Sequence, residues 1–157
     1  MSLRIRLAAG AAALLLAGCA SGPVRRVSEP AVGIQQLSVA ADGSWTVEVR
    51  INNFSSIPMR FDAIDLKLGV GGQEAGTLSA QPGLDIGPES ADVVRVQLKP
   101  QAMARMQAAN ALASGQGIAY SLSGTVRATP ERKKQRSFDV KRDSSLSPVP
   151  GIPGALR

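Results

Sequence analysis

Apolar and polar residues alternate along most of this chain. The clearest run sets Trp45, Val47, Val49 and Ile51 on one face against Thr46, Glu48, Arg50 and Asn52 on the other, which is the period of a half-buried β-strand. Further runs occupy Met59 to Val70, Gly76 to Ala80 and Asp92 to Leu98, the last pointing Val94, Val96 and Leu98 one way and Arg95 and Gln97 the other. Between Gly117 and Ala128, the residues Ile118, Tyr120, Leu122, Gly124 and Val126 share a face opposite Ser121, Ser123, Thr125 and Arg127. Ser137 to Lys141 adds Phe138 and Val140. In the second run the parity slips between Phe61 and the set Ile64, Leu66, Leu68. One extra residue, a β-bulge near Asp62 and Ala63, returns both groups to the core. Gly69, Gly71 and Gly72 lack the Lys-Ser/Thr and the following helix of a phosphate loop, so they read as a hairpin turn.

One segment breaks this period. Pro100 to Ser114 is rich in Ala, contains Met103 and Met106, holds no Gly and stops before Gly115, which predicts a helix with Pro in its first turn. Met103, Met106, Ala109 and Ala113 form its expected apolar stripe. That stripe is wide enough to cap a sheet packing and too thin for a bundle core. Successive short strands with a single helix predict a mainly β fold: an antiparallel fibronectin-III/immunoglobulin-like β-sandwich of about seven strands, with one helix (about 100–114) before the penultimate strand.

The N-terminus follows different rules. Arg4 and Arg6 precede an apolar stretch, Leu7 to Ala17, that ends in Leu16-Ala17-Gly18-Cys19. The stretch is short of the roughly 20 residues that cross a bilayer and has the layout of a removable export signal. The tetrapeptide resembles the cleavage box of bacterial lipoproteins. That resemblance implies cleavage before Cys19, a diacylglycerol on its thiol and acylation of the new amine, and Ala20 in the following position is compatible with outer-membrane delivery. Several acyl chains together make a stable anchor where one is marginal. Residues 1–18 are therefore expected to be a lipoprotein signal peptide and 19–31 a lipidated tether; the domain follows at 32–142, and 143–157, with Pro148, Pro150 and Pro153, is expected to be a flexible tail.

Composition narrows the chemistry. The chain has no His and a single Cys, Cys19, so the usual general base, the usual triad and the commonest metal ligand are missing, and an acylated Cys19 leaves no disulfide. No cofactor and no metal are expected. Asp62 and Asp65 are the nearest pair of acids that could converge; their odd spacing puts them on opposite faces of a strand unless the bulge realigns them, and solvated edge charges are the plainer reading. The net charge of +6 falls to +4 once Arg4 and Arg6 leave with the signal. In an envelope protein that balance argues against nucleic acid as a partner. Arg132, Lys133, Lys134 and Arg136 follow Pro130 and Glu131 between the last two strand patterns, where they either keep a hairpin tip soluble or contact anionic lipid or lipopolysaccharide. Asn52, Asn53, Ser55, Ser56 and Pro58 form a turn motif whose amide and hydroxyl groups can satisfy loop backbone.

The order of elements is similar to that of the late embryogenesis abundant type 2 family, built on the water stress and hypersensitive response (WHy) domain. Asn52-Asn53-Phe54-Ser55-Ser56-Ile57-Pro58 follows a strand where that family carries an Asn-Pro-Asn element before a Pro, and Tyr120-Ser121-Leu122-Ser123-Gly124 matches its Tyr-x-Leu-x-Gly strand. The chain departs at Asn53, commonly Pro in the family, and at Phe54, often a second Asn. The resemblance covers roughly 32–142. It implies a fibronectin-III-like sandwich with one helix and a role in tolerance of desiccation, freezing or related stress. The expectation is a non-enzymatic, membrane-anchored envelope lipoprotein, monomeric, outer-membrane and periplasm-facing, acting on stress-labile client proteins or on membranes. The alternative is an envelope interaction or lipid-binding module serving a transport or assembly complex.

Overall fold

The computed structural model describes Gly22 and residues 24–157, so the expected signal peptide, Leu16, Ala17, Gly18 and Cys19 lie outside the described residues. Among the described residues the alternation becomes nine strands and one helix: β1 (Ala31–Val39), β2 (Trp45–Asn53), β3 (Met59–Val70), β4 (Gln73–Ala80), β5 (Leu84–Ile86), β6 (Ser90–Leu98), α1 (Ala102–Ser114), β7 (Ile118–Pro130), β8 (Arg136–Leu146) and β9 (Ala155–Leu156). They pair antiparallel in two sheets, β6-β2-β1-β9 and β4-β3-β7-β8, with β5 added beside the start of β3. The chain is thus the mainly β, sandwich-like fold the periodicity predicts. The two strands beyond the expected seven, β5 and β9, have three and two residues, too few to show a period. Because β9 follows β8, the helix precedes the third-last strand rather than the penultimate one.

The inward faces match the apolar sets. Trp45, Val47, Val49 and Ile51 of β2, with Val94 and Val96 of β6, belong to one buried cluster with Phe61, Ile64, Leu66 and Leu68 of β3 and Tyr120, Leu122 and Val126 of β7. The opposite face of β2 is polar: Thr46 and Gln97 exchange side-chain hydrogen bonds, and Arg95 Nε lies 2.9 Å from Glu48 Oε1. The β3–β7 register shifts between Phe61 and Ala63, so the bulge falls at Asp62 and rephases the strand as expected. A second irregularity leaves Ala75 of β4 out of register with β3. Its carbonyl accepts the N–H of Gln101 at 3.0 Å, which ties the start of α1 to the sheet edge.

α1 corrects the sequence reading in two ways. It begins at Ala102 behind an extended Gln101, so Pro100 lies before the helix, and it ends on Gly115 with φ 68°, whose N–H returns to Ala111 O. Its buried face is Ala104, Ala108 and Ala111, whereas Met103 and Met106 are 50% and 47% exposed. A Cβ at Gly71 would come within 2.8 Å of Gln107 Cβ, so the helix sits close to the β3–β4 turn, with the small side chains of Ala104 and Ala108 fully buried beneath it.

Both ends of the described residues are bonded to the body further than expected. β8 continues to Leu146; β9 then pairs with β1 at Leu37–Leu156 and Ser38–Ala155, and Leu156 is 0% exposed. The segment expected to be a flexible tail is therefore a closed turn, with Val149 N–H donating to Ala155 O at 3.0 Å and Val39 N–H to Gly154 O at 2.8 Å. Its Pro and Gly residues shape that turn. A Cβ at Gly154, φ 75°, would fall 2.7 Å from Val39 O. At the other end, residues 24–30 precede β1 without regular structure yet are bonded to the body rather than loose, which shortens the expected tether.

Candidate functional site

The β2–β3 loop, the β5–β6 turn and the β7–β8 hairpin gather at one pole of the sandwich. Asn53 ties the first two together. It is 0% exposed, and its Nδ2 donates toward the carbonyls of Ile57 at 3.0 Å, Ile86 at 3.1 Å and Gly87 at 2.9 Å, while Oδ1 accepts the N–H of Ser55 at 2.9 Å. An amide is the one short side chain that both donates twice and accepts. Asn52 is on the outer side, with its Nδ2 3.5 Å from Ala31 O, and Pro58 O accepts the N–H of Glu131 at 3.0 Å, joining the loop to the hairpin. These bonds satisfy the loop backbone chiefly through Asn53.

The N-terminal segment docks on the same loop. Ser28 N–H donates to Ser55 Oγ at 2.9 Å, Arg26 N–H to Ser56 Oγ at 2.8 Å, Ser56 N–H to Arg26 O at 3.0 Å and Ser56 Oγ–H to Val24 O at 2.7 Å. Arg26 Nη2 reaches Phe54 O at 3.2 Å, and Arg25 Nη2 pairs with Glu131 Oε2 at 2.6 Å. That hydrogen bond outweighs the upward push of desolvation and, with the charges of Arg25 and Arg132, holds the Glu131 carboxyl below its ordinary value. Neither Arg25 nor Arg26 was a sequence candidate. Nothing periodic marks them, and only the paired hydroxyls of Ser55 and Ser56 hint at a strap.

Arg132, Lys133, Lys134 and Arg136 surround the β7–β8 tip and are exposed. Lys133 N–H closes the turn on Pro130 O at 2.9 Å, and Arg132 adopts φ 59°. Among the described residues none of these four side chains forms an ion pair. Nearby, the bulge turns Asp62 outward, so that it and Asp65 both point away from the core. Partial burial pushes the Asp62 carboxyl up, but hydrogen bonds from Thr129 Oγ1 at 2.7 Å and Gln135 Nε2 at 2.9 Å, with the charges of Arg60 and Arg127, outweigh it and leave the group below its ordinary value. Asp62 thus pins the hairpin to the sheet; an acid kept ionised and bonded this way is a poor proton donor. Among the described residues no group of three or more His, Cys, Asp or Glu is placed to hold a metal ion.

The opposite pole is different in character. α1 and the C-terminal turn border an open groove of about 630 Å³ whose walls include Val39, Ala109, Leu112, Pro148, Ile152 and Gly154. The interior between the sheets is occupied by side chains such as Trp45, Phe61, Leu66 and Leu122, all fully buried.

A family model described as late embryogenesis abundant protein, LEA_2, matches residues 48–143. The chain belongs to the LEA_2 family. The LEA_2 match runs from the middle of β2 to β8 and includes the hub at Asn53, α1 and the cationic hairpin. An Arabidopsis thaliana protein solved in solution is 14% identical, with 82% of this chain covering 87% of that one at a TM-score of 0.50; at that identity the likeness speaks for the fold alone. A solution structure described as a candidate late embryogenesis abundant protein is 13% identical over 92% of this chain and 80% of its own, at a TM-score of 0.49. A protein from Archaeoglobus fulgidus is 12% identical over 78% of this chain and 97% of its own, at 0.43. No curated protein sequence matches the chain.

Proposed function

We propose that this LEA_2 chain is a lipid-anchored envelope protein that protects proteins or membranes when water is withdrawn by drying or freezing, and that it does so without catalysis. The observation that carries the stress-related reading is the LEA_2 match across 48–143, the greater part of the sandwich. The anchor rests on the sequence Leu16-Ala17-Gly18-Cys19 behind a cationic, apolar leader, and Ala20 is compatible with delivery to the outer membrane. The family is not known for an enzymatic activity, and the most suggestive acid of the body, Asp62, is engaged in holding the hairpin. Protection then comes from placing a folded polar surface close to the bilayer, where it separates partly unfolded client proteins or adjoining lipid surfaces as water is lost.

A deletion strain complemented by the normal gene and by Cys19→Ala tests both halves. Survival of drying and freezing should return with the normal chain and fall short with the variant. Equal survival of the deletion strain and its parent overturns the protective reading; full rescue by Cys19→Ala overturns the need for an anchor. The second reading, an interaction or lipid-binding module, draws on the apolar groove between α1 and the C-terminal turn. A stoichiometric lipid that accompanies the purified, unacylated chain in native mass spectrometry would favour it.

A further inference from the structure

Charge, exposed apolar groups and the chain's point of entry coincide at one pole. Arg132, Lys133, Lys134 and Arg136 carry the entire net charge of the chain after residue 18: with Arg4 and Arg6 also set aside, 12 Lys+Arg remain against 12 Asp+Glu. The other cations of this pole are partly spent. Arg25 is paired with Glu131, and Arg60 is shared between Asp62 at 3.5 Å and Asp85 at 3.6 Å. Glu29 and Glu89 are also exposed there, but the four hairpin cations and Arg26 beside Phe54 form no ion pair among the described residues. Phe54 is 52% and Val24 80% exposed, and Ser56 binds the backbone of Val24 directly. Two apolar side chains therefore stand on the pole that carries the cations.

We propose that this pole, formed by Val24, Arg26, Phe54 and the hairpin cations Arg132, Lys133, Lys134 and Arg136, docks on an anionic phospholipid bilayer and sets the sandwich upright on it. The proposal deepens the anchored reading above and rests on it for the origin of the membrane contact. Cys19 precedes Val24 by five residues. At no more than about 3.5 Å per residue, an acylated Cys19 lies within about 18 Å of Val24. Val24 to Ser28 are strapped to the β2–β3 loop, so the tether delivers this pole, not the other, to the surface. The 12 residues of β3 at roughly 3.3 Å each keep α1 and the apolar groove several tens of ångströms farther out. Anionic headgroups attract cations mainly within a screening length of about 8 Å at physiological ionic strength, and a tether of no more than about 18 Å lets the hairpin reach that range. Aromatic and aliphatic side chains beside such cations add interfacial insertion.

The test separates docking from acylation. Residues 19–157 carrying Cys19→Ala retain every described residue of the core and contain no cysteine, so the chain is unacylated and single labels can be placed at will. It should co-sediment with phosphatidylcholine vesicles containing phosphatidylglycerol and not with phosphatidylcholine alone. Each cation near an anionic surface is worth about five-fold in partitioning. The combined R132Q/K133Q/K134Q/R136Q variant should therefore lose several hundred-fold in binding, about 600-fold if the four act independently, with its melting temperature kept, while K99Q/R105Q at the other pole changes nothing. A fluorophore on Phe54→Cys should respond to vesicles, and one on Ile152→Cys should not. Equal binding to neutral vesicles, undiminished binding by the quadruple variant, or a response at Ile152 alone overturns the proposal. Release by inorganic phosphate at matched ionic strength overturns it too, because it indicates a free-anion site. The mass of the chain isolated from its envelope decides acylation independently: an unmodified Cys19 ends the anchored reading and leaves the vesicle result to stand or fall by itself.

Discussion

Replacing Asn53 should cost this fold more than any other change in its polar loop. The side chain is fully buried and bonded to four backbone groups, the carbonyls of Ile57, Ile86 and Gly87 and the N–H of Ser55. Nδ2 carries two hydrogens, so three carbonyls share two donors, and Asn53→Ala removes two donated bonds and one accepted bond. A hydrogen bond is worth about 1 kcal/mol net, and a buried group left unpaired costs about 1–3 kcal/mol. The three together come to about 3–4 kcal/mol, or roughly 10 °C in melting temperature for a domain of this size. N53D sharpens the test because it keeps the shape while removing both donors and setting a carboxylate against three carbonyl oxygens. At neutral pH it should be less stable than N53A, and the gap should narrow in acid as the new carboxyl takes up a proton and regains a donor. N52A, on the outer side with two long contacts, Nδ2 to Ala31 O at 3.5 Å and Oδ1 accepting from Arg50 Nε at 3.3 Å, should stay within about 0.5 kcal/mol of the parent. Urea unfolding with unchanged slope measures all three. A cost for N53A below about 1 kcal/mol, or N53D as stable as N53A at pH 7, would refute the hub.

Gly124→Ala should abolish stable folding, since a Cβ there would lie 2.1 Å from Asp65 O on a backbone at φ 152°; soluble yield and the far-ultraviolet spectrum report it, and a native spectrum would count against the β3–β7 register. Leu156→Ala should cost about 2–5 kcal/mol in urea unfolding, as for other buried leucines, whereas a tail detached from the body would tolerate it. The Asp62 carboxyl is held below its ordinary value of 3.8 in the folded chain, so its contribution is fully present above that pH and is lost as pH falls through the lower folded value. The stability difference between the parent and Asp62→Asn should accordingly hold above about pH 4 and shrink below it; a difference that grows in acid would contradict the assignment.

The sheet strands were legible where burial is one-sided. β2, β6 and β7 each present one face to the core, so period two survives in their sequences, and the parity slip at Asp62 was readable because the long regular stretch of β3 that follows it is out of phase with Phe61. β8 shows where this fails. It is an edge strand with only Val140 and Leu146 fully buried, so its exposed residues 141–145 resemble a loop and the expected strand ended at Lys141. α1 fails differently. In a helix rich in alanine, neighbouring faces differ little in hydrophobicity, and the methionines look like the core face, whereas the buried face is Ala104, Ala108 and Ala111.

The candidate site was legible in its parts and not in their meeting. The cations between β7 and β8 announce an exposed tip because such a run cannot be buried, and two asparagines before a proline announce a turn. The strap at Val24–Ser28 had no such signal, because hydroxyl-to-backbone bonds between residues 27 to 32 positions apart leave no periodicity in either segment. Proline, glycine and serine have the same composition whether a segment is free or bonded along its length. Burial of Ser55 beneath Ser28 therefore distinguishes a loose leash from a fixed attachment. With the attachment fixed, the side of the domain nearest residue 19 follows from geometry, and the cationic hairpin is on that side.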